Sequence, residues 1–177
     1  MNKILAVVGM CGCGKTEAVN FIMDKGYQKI YFGDVVLNEI KYRGLEINEV
    51  NERKVREELR DRYGMGAMAL NSIDKIREYY LNGNVVIESL YSWQEYKIIK
   101  SEFGENFKLL AVYTTRDIRY NRLKQRKERP LTYDEAVSRD INEIEKLDKG
   151  GPIAFADYLV INDSSFEDLY KQIEKIF

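Results

Sequence analysis

The sequence predicts an α/β fold in which a parallel β-sheet is covered by helices on both faces. Apolar runs at residues 4–8, 85–87 and 109–112 show no alternation with polar residues, as is typical of strands buried on both faces. Stretches with helical periodicity separate these runs along the chain. A glycine-rich segment joins the first apolar run directly to the first helical stretch. Together these observations predict five strands alternating with helices in a single domain over residues 1–177.

Local signals place the individual elements along the chain. Ser92 and Thr132 each precede a glutamate by three residues, and these capping boxes open two helices. Pro130 interrupts one helical stretch, and a glycine pair before Pro152 stops another. The strands are predicted at 3–9, 27–32, 84–90, 107–114 and 157–161, and the helices at 16–25, 34–43, 46–62, 67–81, 92–103, 116–127, 132–149 and after Ser164 or Ser165.

The glycine-rich segment has the spacing of a phosphate-binding loop, or P-loop. The pattern Gly-x-x-x-x-Gly-Lys-Ser/Thr is matched by Gly9, Met10, Cys11, Gly12, Cys13, Gly14, Lys15 and Thr16. The glycines let backbone N–H groups turn toward phosphate oxygens, and the following helix adds its partial positive charge. We expect Lys15 to reach the β- and γ-phosphates of ATP and Thr16 to bind Mg²⁺. The plain alternative is a glycine-rich turn that binds nothing.

The composition excludes several classes of function. With 28 basic and 29 acidic residues the net charge is −1, so no direct binding to nucleic acid or to a membrane surface is expected. We also expect no signal peptide and no spanning helix, hence a cytoplasmic monomer or homodimer whose partners are nucleotide substrates. The chain contains no histidine, which leaves a carboxylate, lysine, tyrosine or cysteine as general base and Mg²⁺ as the metal.

Arginine is concentrated in two stripes with helical spacing. The first stripe is Arg53, Arg56 and Arg60. Because a guanidinium group binds two phosphate oxygens at once, two stripes can hold a polyphosphate from opposite sides. The alternative is two solvated faces on which glutamates pair with the arginines. The second stripe and its neighbours are Arg116, Arg119, Arg122, Arg126, Arg129 and, one helix later, Arg139.

Three polar residues are predicted near strand ends on the loop side of the sheet. Asp34 and Glu88 follow the second and third strands, where a carboxylate can hold Mg²⁺ or accept a proton. Asp34 can instead cap the next helix, whereas Glu88 lies in an apolar run and needs a reason for its burial. Asn162 follows the last strand, where it either lies against a nucleobase or forms a plain turn.

These features together resemble the P-loop nucleoside monophosphate kinase superfamily, and within it the small adenylate-kinase-related proteins often labelled dephospho-CoA-kinase-like. The resemblance covers essentially the whole chain, and the loop at 9–16 is its most specific element. It implies a three-layer P-loop NTPase sandwich with five parallel strands in the order 2-3-1-4-5. It also implies a helical insert at 37–82 that binds the acceptor and a short lid at 120–132.

The resemblance implies roles on the ATP side of the site. Arg122 and Arg126 match lid arginines that stabilise the transferred phosphoryl group, and Arg139 matches a second arginine of that group. Asn162 matches the segment that passes the adenine of ATP. Lys15, Thr16 and the loop are thus joined in ATP binding by Arg122 and Asn162.

On the acceptor side the sequence departs from the pattern of the superfamily. Relatives commonly carry an arginine for the acceptor phosphate where this chain has Tyr91. Acceptor binding is therefore expected to involve Arg56, Arg60 or Arg116, with Asp34 and Tyr91 beside the bound molecule.

Three functions remain open from the sequence. The first is ATP- and Mg²⁺-dependent phosphoryl transfer to a nucleoside monophosphate, AMP or CMP, with Thr16 and Glu88 at the metal. The second is a dephospho-CoA kinase, in which Asp34 would be the base for a hydroxyl acceptor. The third is a nucleotide-binding switch or weak ATPase that serves a protein partner, which Tyr91 favours. For the kinase, the expected catalytic residues are Lys15, Asp34, Glu88, Arg122, Arg126 and Arg139.

Overall fold

The computed structural model describes residues 2–177, which form a central sheet between two layers of helices. No helix in that range is long and apolar enough to cross a membrane. The strands are β1 (Ile4–Val8), β2 (Gln28–Tyr31), β3 (Val85–Glu88), β4 (Phe107–Tyr113) and β5 (Tyr158–Ile161). The helices are α1 (Lys15–Asp24), α2 (Gly33–Tyr42), α3 (Glu49–Tyr63), α4 (Ala67–Leu70), α5 (Ile73–Asn82), α6 (Trp93–Phe103), α7 (Arg116–Lys124), α8 (Tyr133–Glu145), α9 (Gly150–Ala154) and α10 (Phe166–Glu174).

The sheet is parallel throughout and has the order β2-β3-β1-β4-β5, so the predicted P-loop NTPase fold is confirmed. β1 lies at its centre, with Val7 opposite Glu88 of β3 and Leu110 of β4. Because all strands point the same way, their carboxyl ends meet at one edge of the sheet. The chain segments that follow β1, β3, β4 and β5 are therefore brought together there.

The sheet has an apolar core on each of its two faces. On one face Ala6 and Ile87 are packed beneath α2, α4 and α6, and Val55 and Leu59 of α3 join the same cluster. On the opposite face Val7 belongs to a second cluster that includes residues of α1 and α10. Successive strand residues point to opposite faces, so a strand covered on both sides is apolar at every position.

The insert contains one more helix break than predicted. Instead of a single helix over 67–81, α4 ends at Leu70 and α5 begins at Ile73. The side-chain amide of Asn71 donates a hydrogen bond to the carbonyl of Ala67 at 2.8 Å, and Ser72 is buried. Such a side-chain bond to the backbone competes with helix propagation, which accounts for the break.

Two helix ends after β4 also differ from the prediction. The helix that begins at Arg116 ends at Lys124, earlier than the expected 127. The glycine pair before Pro152 begins a short helix, α9, although it was expected only to stop one. Proline is compatible with the first turn of a helix because the N–H groups there have no intrahelical partner.

A buried ion pair fastens α7 and α8 to the phosphate-binding loop. The Nη1 atom of Arg119 donates to the carbonyl of Cys11 and to Oδ1 of Asp140, each at 3.0 Å. Its Nη2 atom donates to Oδ2 of Asp140 at 2.5 Å, and the Tyr120 hydroxyl donates to the same oxygen at 3.0 Å. Arg119 was predicted to belong to a phosphate-binding stripe, but its guanidinium is used within the protein.

Replacing Asp140 by alanine should lower the free energy of unfolding by about 3–5 kcal/mol, because Arg119 would remain buried without its counter-ion. Urea denaturation of the variant and of wild type measures the difference. Glu145→Ala is the matched control, because Glu145 is exposed on the same helix. Equal losses of stability in the two variants would contradict this assignment.

Candidate functional site

The phosphate-binding loop needs glycine where other chain segments approach it. Gly14 has φ +96°, and a Cβ atom there would overlap with the side-chain amide of Asn162. A Cβ atom on Gly9 would lie 2.5 Å from the carbonyl oxygen of Val112. The loop is therefore packed against the ends of β4 and β5, and its shape depends on the missing side chains.

Lys15 is the first residue of α1 and turns back over the loop. Its Nζ donates to the carbonyls of Gly9 at 2.8 Å and Met10 at 3.0 Å. No side chain caps α1 at Gly14, so the N–H groups of its first turn remain available for an anion. The ammonium group and these N–H groups together have the chemistry of a phosphate-binding site.

Thr16 and Glu88 lie together beside the loop. The Thr16 hydroxyl donates to Oε1 of Glu88 at 3.1 Å, and Nζ of Lys29 lies 2.5 Å from Oε2. Hydroxyl and carboxylate oxygens suit Mg²⁺, which usually takes one or two protein ligands and completes its shell with water and phosphate. No group of three or more Cys, Asp or Glu side chains within residues 2–177 has metal-binding geometry. The pair fits a phosphate-linked Mg²⁺ ion.

Asn162 supports the loop from the side of β5. It is fully buried, and its amide donates to the carbonyl of Cys13 at 2.9 Å. The Thr114 hydroxyl donates to the same carbonyl at 3.0 Å, and Nη2 of Arg122 donates to the carbonyl of Asn162 at 2.9 Å. Asn162 was expected to contact ATP directly, but its side chain has no exposed surface to offer a nucleobase.

The arginines expected around the transferred phosphoryl group come together over the loop. A cavity of about 540 Å³ is bounded by Lys15, Thr16 and Glu88 on one side. Its other walls include Arg122, Arg126 and Arg139, which come from α7, the segment after it and α8. We call this space the loop cavity.

A second space, here called the arginine cavity, lies next to the loop cavity and has a volume of about 380 Å³. Arg56 and Arg60 of α3 line it, together with Arg129 and Arg139. The Nε atom of Arg60 is buried and has no hydrogen-bond partner in the described part of the chain. Burial also lowers the pKa of Arg60, as expected for a cation away from water. An orphaned guanidinium nitrogen in a cavity indicates a site for an anion.

The two cavities share a wall. Ser89, directly after β3, has a φ of +70°, which is uncommon for a residue with a side chain. The Tyr91 hydroxyl donates to Oγ of Ser89 at 3.3 Å. Strained backbone of this kind is concentrated at functional sites. The residues that border both cavities are Tyr31, Ser89, Tyr91 and Arg139.

Two residues predicted for the site are placed elsewhere. Asp34 lies in the first turn of α2, and its Oδ2 atom is 3.8 Å from Nζ of Lys75. It lines a separate cavity with Lys75 and Asn71. The helix begins at Gly33, and Asp34 in its first turn is absent from the walls of the loop cavity and of the arginine cavity. Arg116 is exposed at the start of α7 and borders neither the loop cavity nor the arginine cavity.

Two buried acids and one lysine of the site could not be assigned from the sequence. Glu95 reads only as half of a capping box, yet burial raises its pKa to about 7 and it lines the arginine cavity. Its Oε2 atom accepts from the N–H groups of Tyr91 at 2.7 Å and Ser92 at 2.9 Å. Lys29 is the one charged residue of the predicted strand at 27–32, and Glu143 lies in a charged stretch typical of solvated surface, so neither was singled out.

Gly14→Ala should weaken ATP binding by at least about tenfold, because the added Cβ displaces the loop from Asn162 and misaligns its N–H donors. Isothermal titration calorimetry measures the affinity. Gly104→Ala is the matched control: Gly104 also has a positive φ, of 55°, but a Cβ there meets no atom within 4 Å. The control should lose only about 1–2 kcal/mol of stability. Unchanged ATP affinity in Gly14→Ala would contradict the assignment of the loop.

Sequence comparison relates the chain to several known proteins. A family profile described as "AAA domain" matches residues 5–148. A UPF0200 protein of Thermococcus onnurineus is 34% identical over 98% of this chain and 95% of its own length. A UPF0200 protein of Sulfurisphaera tokodaii is also 34% identical, with the same shares covered.

Solved structures, a kinase among them, share the fold. The shikimate kinase of Bacteroides thetaiotaomicron superposes with a TM-score of 0.66 at 15% identity, covering 98% of this chain and 97% of that one. The protein TT1252 of Thermus thermophilus gives 0.70 at 15% identity, covering 99% and 96%. These likenesses concern the fold alone. The extent of the profile and the identity to the relatives show that the chain belongs to the "AAA domain" family together with the UPF0200 proteins.

Proposed function

We propose that the protein is an ATP-dependent kinase that transfers the γ-phosphoryl group to a nucleoside monophosphate. The observation that carries this proposal is the common wall of the loop cavity and the arginine cavity. A donor phosphate on the loop and an acceptor phosphate among the arginines would meet at Ser89, Tyr91 and Arg139. Phosphoryl transfer depends mainly on such positioning and on neutralisation of charge.

On the donor side, Lys15 and the loop N–H groups would hold the β- and γ-phosphates. Thr16 and Glu88 would hold Mg²⁺, which neutralises phosphate charge when it is bound. Lys29 pairs with Glu88 and orients that buried carboxylate.

On the acceptor side, Arg56 and Arg60 would bind the phosphate of a nucleoside monophosphate, with AMP or CMP as the proposed acceptors. The apolar part of the arginine cavity, which includes Phe32 and Met68, can pack against a nucleobase. A phosphate acceptor is already ionised and needs no strong base. This agrees with the position of Asp34 outside both cavities.

The segment between α7 and α8 would serve as a lid, within the proposed range 120–132. Arg126 borders the loop cavity, while Arg129 borders the arginine cavity and lies 3.3 Å from a carboxylate oxygen of Glu49 on α3. Both members of this ion pair are exposed, so it contributes at most about 1 kcal/mol and opens readily. Closure would surround the transferring group with arginine and exclude water.

The direct test is ADP release from ATP and Mg²⁺ with AMP, CMP, UMP, GMP or dephospho-CoA added singly. One monophosphate should stimulate release strongly over a control without acceptor, because the arginine cavity completes the site. Stimulation by dephospho-CoA alone would replace the proposal with the second candidate below. Slow release that no acceptor changes would indicate instead a nucleotide-binding switch or weak ATPase that serves a protein partner.

Arg60→Met should raise the KM for the acceptor by about 10- to 100-fold and leave ATP affinity unchanged, because one charged hydrogen bond to the acceptor is lost. Steady-state kinetics with the acceptor found above measures the change. Arg53→Met is the matched control, since Arg53 lies on the same helix, is exposed and borders neither cavity. Equal effects of the two substitutions would argue against the acceptor site.

A kinase for a hydroxyl acceptor, such as dephospho-CoA, is the second candidate. Its support is the fold shared with shikimate kinases and the carboxylates Glu52, Glu95 and Glu143 in the arginine cavity. In this case the acceptor hydroxyl must lose its proton, and Asp34 was the base expected from the sequence.

Asp34→Asn tests the second candidate in the form in which Asp34 is the general base. Under the proposal, turnover should stay within about threefold of wild type, whereas loss of a general base costs about 10²- to 10⁴-fold. Measurement of kcat at saturating substrates distinguishes these two outcomes. A large loss of kcat would support the hydroxyl acceptor and require α2 to rearrange on binding.

A further inference from the structure

Lys149 is a buried cation close to both cavities. It lies just before α9, its side chain is 2% exposed, and its Nζ atom donates to Oε2 of Glu143 at 2.6 Å. The same Nζ atom lies 4.4 Å from the centre of the Tyr91 ring. A buried ammonium group is costly to desolvate and is retained where its contacts serve a purpose.

Glu143 connects Lys149 to Arg139. Its Oε1 atom accepts a hydrogen bond from Nε of Arg139 at 3.2 Å, while its Oε2 atom accepts from Lys149. The two terminal nitrogens of Arg139 have no hydrogen-bond partner among residues 2–177. Arg139 is therefore held at its Nε atom, and its terminal nitrogens are available to bind a ligand. The side chain of Arg139 borders both cavities.

The charge at this point depends on Lys149. Two cations share one carboxylate, so the group carries a net charge of about +1 where the donor and acceptor phosphates would meet. Without the ammonium group, both oxygens of Glu143 would be free for Arg139. Carboxylate and guanidinium groups then form a two-bond pair, which would use a terminal nitrogen of Arg139 and neutralise it.

We propose that Lys149 is a positioning residue: by holding Glu143 and packing on Tyr91, it keeps the terminal nitrogens of Arg139 free for the phosphoryl group that passes between the cavities. The proposal rests on the kinase function proposed above. Lys149 itself touches neither substrate in this scheme, and its effect is transmitted through Glu143 and Tyr91.

The electrostatic surroundings of Lys149 make this role dependent on pH. Burial, and secondly the charge of Lys15, lower its pKa to about 8, while Glu143 and Cys11 oppose the shift. Arg139, beyond Glu143, and the Tyr91 ring complete the surroundings. As the pH rises through this value, Lys149 loses its charge and Glu143 turns to Arg139. Activity should then fall in alkaline solution.

The test measures kcat and KM from pH 6 to 9.5 for wild type, Lys149→Met and Lys149→Arg. In wild type kcat/KM should fall about tenfold per pH unit above the pKa of Lys149. Lys149→Arg should lack this fall, because arginine stays protonated. Lys149→Met should have a kcat at least about tenfold lower at pH 7. Lys146→Met, at an exposed position nearby, should match wild type.

The proposal would be overturned if both Lys149 variants had the kcat of wild type and the same fall in kcat/KM at alkaline pH. If Lys149→Met does not fold, Lys149→Arg is compared with wild type. Loss of the alkaline fall in kcat/KM supports the positioning role of Lys149, and its retention overturns that role.

A binding measurement separates this inference from the kinase function. Calorimetry gives the ratio of the ADP and ATP dissociation constants, which reports contacts with the γ-phosphate without turnover. Lys149→Met, or Lys149→Arg above pH 8 if the former does not fold, should change this ratio by about tenfold relative to wild type. If no acceptor is phosphorylated but the ratio changes, the inference stands and the kinase function fails. If turnover occurs and the ratio is unchanged, the inference fails and the function stands.

Discussion

The carbonyl group of Cys13 is the point on which the geometry of the phosphate-binding loop depends. It accepts hydrogen bonds from Thr114 and Asn162, which follow two neighbouring strands. Since the loop itself begins at the end of β1, three strands hold it through a single peptide group and one covalent connection. The rigidity of the sheet is thereby transferred to a segment that has no regular structure of its own, and the side chains around it can be placed accurately.

Each buried carboxylate near the loop has two donors, and each pair of donors has a distinct purpose. Glu88 accepts from Thr16 and pairs with Lys29, which fixes the position of a potential metal ligand. Asp140 accepts from Arg119 and Tyr120, which fixes the helices after β4. Since buried charges are tolerated only when paired, these contacts stabilise the charged groups at this edge of the sheet.

The sequence was sufficient for the parts of the site whose signal is local. The loop follows from the spacing of its glycines, and Glu88 follows from a charge inside an apolar strand. Asp34 could not be placed, because a helix that begins at Gly33 turns its side chain toward Lys75. Helical spacing also could not separate Arg119 from Arg122. They share one face of α7, and only packing against Asp140 or Asn162 decides what each one binds.

The clamp formed by Arg119, Asp140 and the Cys11 carbonyl restricts which part of the protein can move. It fixes both helices that flank the segment between Lys124 and Tyr133. Both ends of this segment are therefore held in place. Fluctuations of a short loop take about nanoseconds to microseconds, and the opening of a lid takes about microseconds to seconds. Because both flanking helices are held in place, access of a ligand to this edge of the sheet would require movement of this segment alone.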